Sequence, residues 1–489
     1  MFKFTLNNGL INFTGNMFSL RNIKLMIEVN TVPVELEINE TAAMGFEVTV
    51  PGTGIRGLLN IGTFRDMTTM EIEFLNDSNS DYSLGKCEFI SGSQISMPDD
   101  TVLILQRGEC ARNRNIRLAD IEKSDESTIF TTLNEKGIGG LSIGFISFDR
   151  IFCKVDFIKS NEFGSSVSSV SGSESSGYSI KAYCDFNSFV LKPGASIKTE
   201  NFFIEEKKEP YDLLVSFAET VRYRYKIKPR QKMPIGWIGG WNFRDAFTKE
   251  NHEKLVMQNA KAINERLKGF GVEYIWISTV NTKDNLPGNW DKDNVYNFPK
   301  GLGYLSEYLK ERGLKMGLWI APFWMNEASE NLVHVEKAIA VKDGEKVITK
   351  TGRITHQPFH GKKPEELPRV YYLDPTHPDL HEFLKRIFNY YNDIGIRYYM
   401  VDFLLHGIDP EYDLYDKSVV NGPESYRMTM ELIRKTVTDD TYLLSSSGPT
   451  LYNIGLVDGV RAARDFGEGR PVTKYCGYYP ANYLTNNFE

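Results

Sequence analysis

Over its first two hundred residues the chain runs in short apolar or alternating stretches, IKLMIEV, FEVTV, TVLIL, GFISF and FCKVDFI, each broken by Gly, Asn, Asp or Ser. A period of two with turn residues between the runs is the pattern of strands that bury one face, so residues 1–205 are expected to form a β-sandwich. Within them Asn161 to Ser179 is rich in Ser and Gly, which predicts a flexible surface loop and not a domain boundary. Near Pro210 the period changes. YDLLVSFAETVRYRYK places apolar residues at helical spacing and leads into the proline-bearing KIKPRQKMP, so 206–232 reads as a linker helix.

From 233 to 489 strand-like and helix-like segments alternate: PIGWIGG, VEYIWIS, LKMGLWIAPF, RVYYLD, IRYYMVDFLL, TYLLSSSGP and VDGVRAARD, most with an amphipathic stretch such as HPDLHEFLKRIFNYYNDIG between them. Alternation of this kind predicts parallel strands with crossover helices, and seven in series favour a (β/α)8 TIM-type barrel over an open sheet. The fold class is therefore multidomain, β followed by α/β. Only YLTNNF is left for an eighth strand, so the barrel is expected to be C-terminally short or to close unusually.

Composition narrows the function. A chain of 489 residues with 41% hydrophobic and 12% aromatic content is no disordered protein, and it has no uninterrupted apolar stretch near the length of a membrane span. A net charge of -7 leaves no cationic footprint for nucleic acid or anionic lipid, so neutral substrates fit best. The five cysteines, Cys87, Cys110, Cys153, Cys184 and Cys476, are widely spaced without a CxxC, which suits buried free thiols in a reducing compartment. The N-terminal segment lacks the continuous apolar run of a secretory signal, and a cytoplasmic location is expected.

Several weaker signals resolve to structure. Gly52 to Gly57 formally satisfies GxGxxG but sits among strands with no helix start, as a hairpin turn does. His356, His360, His377 and His381 lack the HExxH arrangement, and capping or solvent exposure accounts for them better than a metal. The charged stretch from Lys342 to Glu366 reads as a solvated loop long enough to help roof a pocket. No metal and no cofactor is expected.

In such barrels the chemistry lies at the C-terminal ends of the strands. Those ends carry Trp237 and Trp241, then Trp276 with Ser278 and Thr279, then Trp319, Pro322 and Trp324, then Asp374, Asp402, and finally Arg461 and Asp465. All six tryptophans, Trp290 included, fall between 237 and 324. Their faces suit the C–H faces of pyranose rings, although each taken singly also suits core packing. Asp402 closes an almost wholly apolar strand, where an ionised carboxylate is costly without a partner or a task. Asp465 stands four residues after Arg461 and beside Arg464, as a catalytic group or as half of a structural ion pair. Two carboxylates at an aromatic barrel mouth suit glycoside cleavage, one as nucleophile and one as acid then base, at a separation of roughly 5 to 7 Å.

The segments GLKMGLWIAPF, IRYYMVDFLL and SSSGPTLYNIGLVDGVRAARD, in this order, together with NVYNFPKGLGYLSEYLKERG, resemble glycoside hydrolase family 36, the α-galactosidase-like family. The likeness runs from about Pro234 to Arg470. It implies an N-terminal β-sandwich, a retaining double displacement without metal, and a small C-terminal β-domain that this chain lacks. It also implies Asp402 as nucleophile, Asp465 as acid/base, Arg461 as a substrate-orienting arginine, and Trp237 and Trp319 as barrel-mouth aromatics.

This sequence departs from the family at the sugar-gripping positions. The usual lysine two residues before the nucleophile is Met400, the Asp-Asp pair after strand two is Ser278-Thr279, and the acidic residue before the next tryptophan is Asn289, with Asp284 and Asp291 nearby. A site built to bond particular hydroxyls discriminates strongly, so the sugar is expected to differ even if the chemistry is kept. The expected substrate is an oligosaccharide or glycoconjugate, contacted by Trp237, Trp241, Ser278, Thr279, Trp290, Trp319, Met400 and Arg461. The expected activity is that of a retaining exo-α-glycosidase. A transglycosylase of the raffinose-synthase type and an inactive carbohydrate-binding homologue are the alternatives, and homo-oligomerisation stays open.

Overall fold

The computed structural model describes residues 2–41, 45–107, 112–159, 167–169, 178–228, 233–239, 252–277, 281–348, 363 and 366–461. The chain forms two compact units, one built on the residues up to Ile227, the other on Lys228–Pro449 with Asn453–Arg461.

Two ten-stranded sheets make the first unit. Strand alternation does the sorting: along Phe152–Lys159, Cys153, Val155 and Phe157 are buried while the residues between them are half-exposed. The core is aromatic where the sheets meet. Phe89 of one sheet lies parallel to Phe202 of the other, centroids 5.1 Å apart, and meets Phe145 edge-on at 5.8 Å. Cys87, Cys184 and Cys153 sit opposite one another on three adjacent strands, all buried and free. Gly52–Gly57 spans the antiparallel turn from Phe46–Thr49 to Ile55–Phe64, with Gly52 at φ +76°. The helix Pro210–Arg224 belongs to this unit. It buries Leu213, Phe217 and Val221 along one stripe, and Phe217 stacks on Phe130 at 3.8 Å.

The second unit is built on a parallel sheet of six strands, in the order Gly236–Gly239, Tyr274–Ile277, Lys315–Ile320, Ile396–Val401, Tyr442–Ser445 and Gly459–Val460. Among the described residues it is an arc, with no closing strand. RVYYLD, expected as the fourth barrel strand, is not in it: Val370–Tyr372 pairs antiparallel with Trp324–Asn326, and Lys315–Ile320 pairs directly with Ile396–Val401. A half-buried β-rich triplet suits either pairing, so period alone does not decide. Asp374 consequently lies away from any parallel strand end. It accepts from Thr376 N and Oγ1 at 2.8 Å and from Tyr415 N at 2.6 Å, as a loop staple does.

The two faces of the sheet have different tasks. One packs on the helix Pro378–Asp393, whose Leu380, Phe383, Leu384, Ile387, Phe388 and Tyr391 are buried, and Tyr399 of the sheet meets Phe388 and Tyr391 at 5.1 and 5.9 Å. His377 caps that helix through Nδ1, accepting from Asp379 N at 3.1 Å. The other face is aromatic: Tyr274, Trp276, Tyr398 and Tyr442 run across three strands, with Tyr398 and Tyr442 stacked at 5.7 Å. Gly317 makes room for this row, because a Cβ there would lie 2.7 Å from the Tyr398 ring. No helix among the described residues is long and apolar enough to cross a membrane.

His252 opens the helix His252–Arg266 and is buried edge-on against Phe298 at 5.8 Å. Burial pushes its imidazole down to about 4. The unfolded chain then binds the proton first as pH falls below the usual histidine value, so stability is lost between pH 6.5 and 4. The His252→Leu variant should lose less stability across that window, by up to about 3 kcal/mol in denaturant titrations at the two pH values. An unchanged pH slope would contradict a neutral buried imidazole.

Candidate active site

Asp402 follows the last residue of the strand Ile396–Val401 and continues its pairing, its N–H donating to Ile320 O at 2.9 Å. Alternation along this strand puts Tyr398, Met400 and Asp402 on one face, away from the helix that covers Tyr399. The carboxylate is 9% exposed, and each oxygen has a donor. Trp319 Nε1 donates to Oδ2 at 3.0 Å, and Phe403 N donates to Oδ1 at 2.8 Å. Donors on both oxygens hold the group in one orientation and replace part of the water it has lost.

Two local features make this possible. Trp319 pairs in register with Met400, one step back from Asp402, so its indole reaches the strand end on the same face. Phe403 is left-handed, with φ +54° and ψ +35°, a conformation uncommon for a bulky residue. The chain leaves the sheet at this turn, and the Phe403 N–H meets the preceding carboxylate. Its ring is in turn held flat on Trp324 at 3.9 Å and edge-on to Trp319 at 6.2 Å. Strain carried at a site and held by packing is a mark of function, though not of a particular one.

Arg461 arrives from the neighbouring edge of the same arc. Its N–H donates to Ser445 O at 2.9 Å, and its guanidinium approaches Ser446 Oγ at 3.5 Å. Ser445 pairs with Val401 and with Val460, so alternation puts Arg461 on the Asp402 face; burial and the Tyr442 phenol raise the Tyr398 phenol, and the Arg461 guanidinium offsets part of that rise. Asp402, Trp319, Met400 and Arg461 are thus expected site residues that the sheet brings to one face.

The remaining expected residues divide. Trp290 is 1% exposed and stands behind Trp319, rings 5.8 Å apart, with its carbonyl accepting from Tyr391 Oη at 2.6 Å. Trp237 is taken to the opposite face of the sheet, since it pairs with Ile275 while Trp276 carries the aromatic row. Asp465, Trp241, Ser278 and Thr279 lie outside the described residues, as do His356 and His360.

The acidic candidates around Trp290 are already engaged. Asn289 Oδ1 accepts from Ser329 Oγ and Glu330 N, both at 2.9 Å. Asp291 is bonded to Asn331 Nδ2 at 2.6 Å and paired with Arg386; burial pushes its carboxyl up, but these partners outweigh burial and hold it below the usual value. Asp284 is half-buried in a left-handed turn at φ +56°. The sequence reading missed Phe403, whose left-handed turn has no sequence signature. It also missed Asn281, which is buried four residues beyond Ile277 with both amide atoms unpartnered. A polar group so placed calls for an explanation, and a ligand is one.

No family model matches the chain. Solved structures do match it in fold. The α-galactosidase from Lactobacillus brevis is 13% identical, with a TM-score of 0.61 over 95% of this chain and 59% of its own. The GH36 α-galactosidase AgaB from Geobacillus stearothermophilus is 14% identical, with a TM-score of 0.61 over 90% of this chain and 64% of its own. TtGalA, an α-galactosidase from Thermus thermophilus in complex with stachyose, is 15% identical, with a TM-score of 0.53 over 86% and 78%. The chain therefore has the fold of GH36 α-galactosidases and spans about three fifths of the length of the first two.

If the Trp319 indole orients Asp402, the two side chains are energetically coupled. A double-mutant cycle with Trp319→Phe and Asp402→Ala, read from urea unfolding, should give a coupling of about 1 kcal/mol or more. Additive effects would show that the bond contributes nothing.

Proposed function

We propose that the protein is a retaining exo-α-glycosidase of the GH36 kind that releases a terminal α-linked sugar. The observation that carries the reading is Asp402: a carboxylate at a parallel strand end, mostly out of water, aimed by two N–H donors and walled by Trp319 and Phe403. A buried carboxylate held this way is arranged to act on a developing positive charge. The GH36 α-galactosidase fold, and the stachyose in the Thermus structure, support a glycoside as the substrate.

In this reading the arc belongs to a (β/α)8 barrel and Asp465 is brought opposite Asp402 as the acid/base. An Asp402 oxygen attacks the anomeric carbon while Asp465 gives its proton to the departing glycosidic oxygen. Asp465 then takes a proton from water as the water attacks the same carbon and releases Asp402. Arg461 orients the sugar. The Trp319 and Phe403 N–H groups each hold one carboxylate oxygen, which leaves a second lone pair on the attacking oxygen for the substrate.

Incubation with a slow fluorosugar substrate, followed by peptide mass analysis, should place one glycosyl group on Asp402. A label on another residue, or full activity in Asp402→Gly, would remove the assignment. For Asp465→Ala, activity should fall by at least about a hundredfold on substrates with poor leaving groups and far less on dinitrophenyl glycosides, whose departure needs little protonation. Equal losses on both would count against the acid role.

A further inference from the structure

The layer of side chains directly beneath Asp402 sets what the sugar meets after its anomeric carbon. Trp319 and Met400 are register partners, Met400 and Leu444 are the next pair along the arc, and alternation puts all three on the Asp402 face. An indole, a thioether and an isobutyl group therefore lie side by side there. Met400 is only 6% exposed, and among these three described side chains the one N–H, Trp319 Nε1, is already given to Asp402. Asn289 and Asp291 are already engaged elsewhere, the first by Ser329 and Glu330, the second by Asn331 and Arg386.

A ring hydroxyl turned toward these three side chains would give up its water and find no partner among them, whereas a methyl or methylene would gain contact with a flexible, polarisable side chain. From this we infer that the site takes a deoxyglycoside, with Met400 as the specificity-determining residue beneath the deoxygenated position. The inference rests on the glycosidase reading and deepens it. Discrimination against the hydroxylated counterpart follows from the desolvated hydroxyl and is expected at about tenfold or more.

The test compares galactose with its 3-deoxy, 4-deoxy and 6-deoxy forms in two ways on the full-length protein: binding of the free sugars by calorimetry, and kcat/KM of the aryl α-glycosides. One deoxy form should bind at least about tenfold more tightly than galactose. Met400→Leu should keep that ratio, and Met400→Gln, which restores a hydrogen-bonding group of similar length, should shift it by about tenfold toward galactose. Because the ratio is taken within each variant, a general loss of stability does not mimic the effect. Galactose binding as tightly as every deoxy form, or a ratio that Met400→Gln leaves unchanged, would overturn the inference. A deoxy preference in binding without turnover of any aryl glycoside would uphold it while removing the hydrolytic reading, and binding of none of the sugars would overturn both.

Discussion

The candidate site depends on keeping one carboxylate in a fixed direction where little water reaches it. Asp402 ends a strand whose other face is pressed against a helix, so the backbone has no freedom to re-aim it. What remains is the side chain, and the two N–H groups of Trp319 and Phe403 settle that. Each donor is itself held: Trp319 by the sheet register and by Trp290 behind it, Phe403 by its left-handed turn and its stack on Trp324. Removing a brace would leave a buried anion short of a partner, which is among the more costly defects a fold can carry.

Under the proposed function, chemistry and recognition occupy different layers. The groups proposed to act on the anomeric carbon lie at the rim of the sheet, whereas Met400 and Leu444 lie one layer deeper, where other parts of the ring would meet them. A change in the deeper layer would then alter which sugar fits without moving Asp402. A fold can thus keep one reaction while its grip on substrate hydroxyls is rewritten, since specificity arises from differences in transition-state binding among substrates and not from the reacting groups alone.

Much of this was legible in the sequence, for identifiable reasons. The run Tyr398 to Val401 ending in Asp402 announced a carboxylate at the close of an apolar strand, and GLKMGLWIAPF placed Trp319 at the end of a neighbouring one. Period two also marked the sheets of the first unit. The same period gives alternation but not the direction of the partner strand, so Val370–Tyr372 was expected in the parallel sheet and instead pairs antiparallel. Nor does it give the parity of a short strand: Trp237, expected as a barrel-mouth aromatic, pairs with Ile275 and so lies on the face opposite Trp276. Trp290, expected in the wall of the site from the clustering of the tryptophans, is buried with its ring against Trp319. The left-handed turn at Phe403 and the unpartnered amide of Asn281 are products of tertiary packing, and no local spacing foretells them.

The central claim is a nucleophilic carboxylate at position 402, and its most direct consequence is stereochemical. Proton NMR of a turned-over aryl α-glycoside, recorded before mutarotation, should show the α-anomer of the free sugar as the first product, because two inversions at one carbon restore its configuration. The β-anomer as first product would mean a single displacement by water, leaving Asp402 with no covalent role.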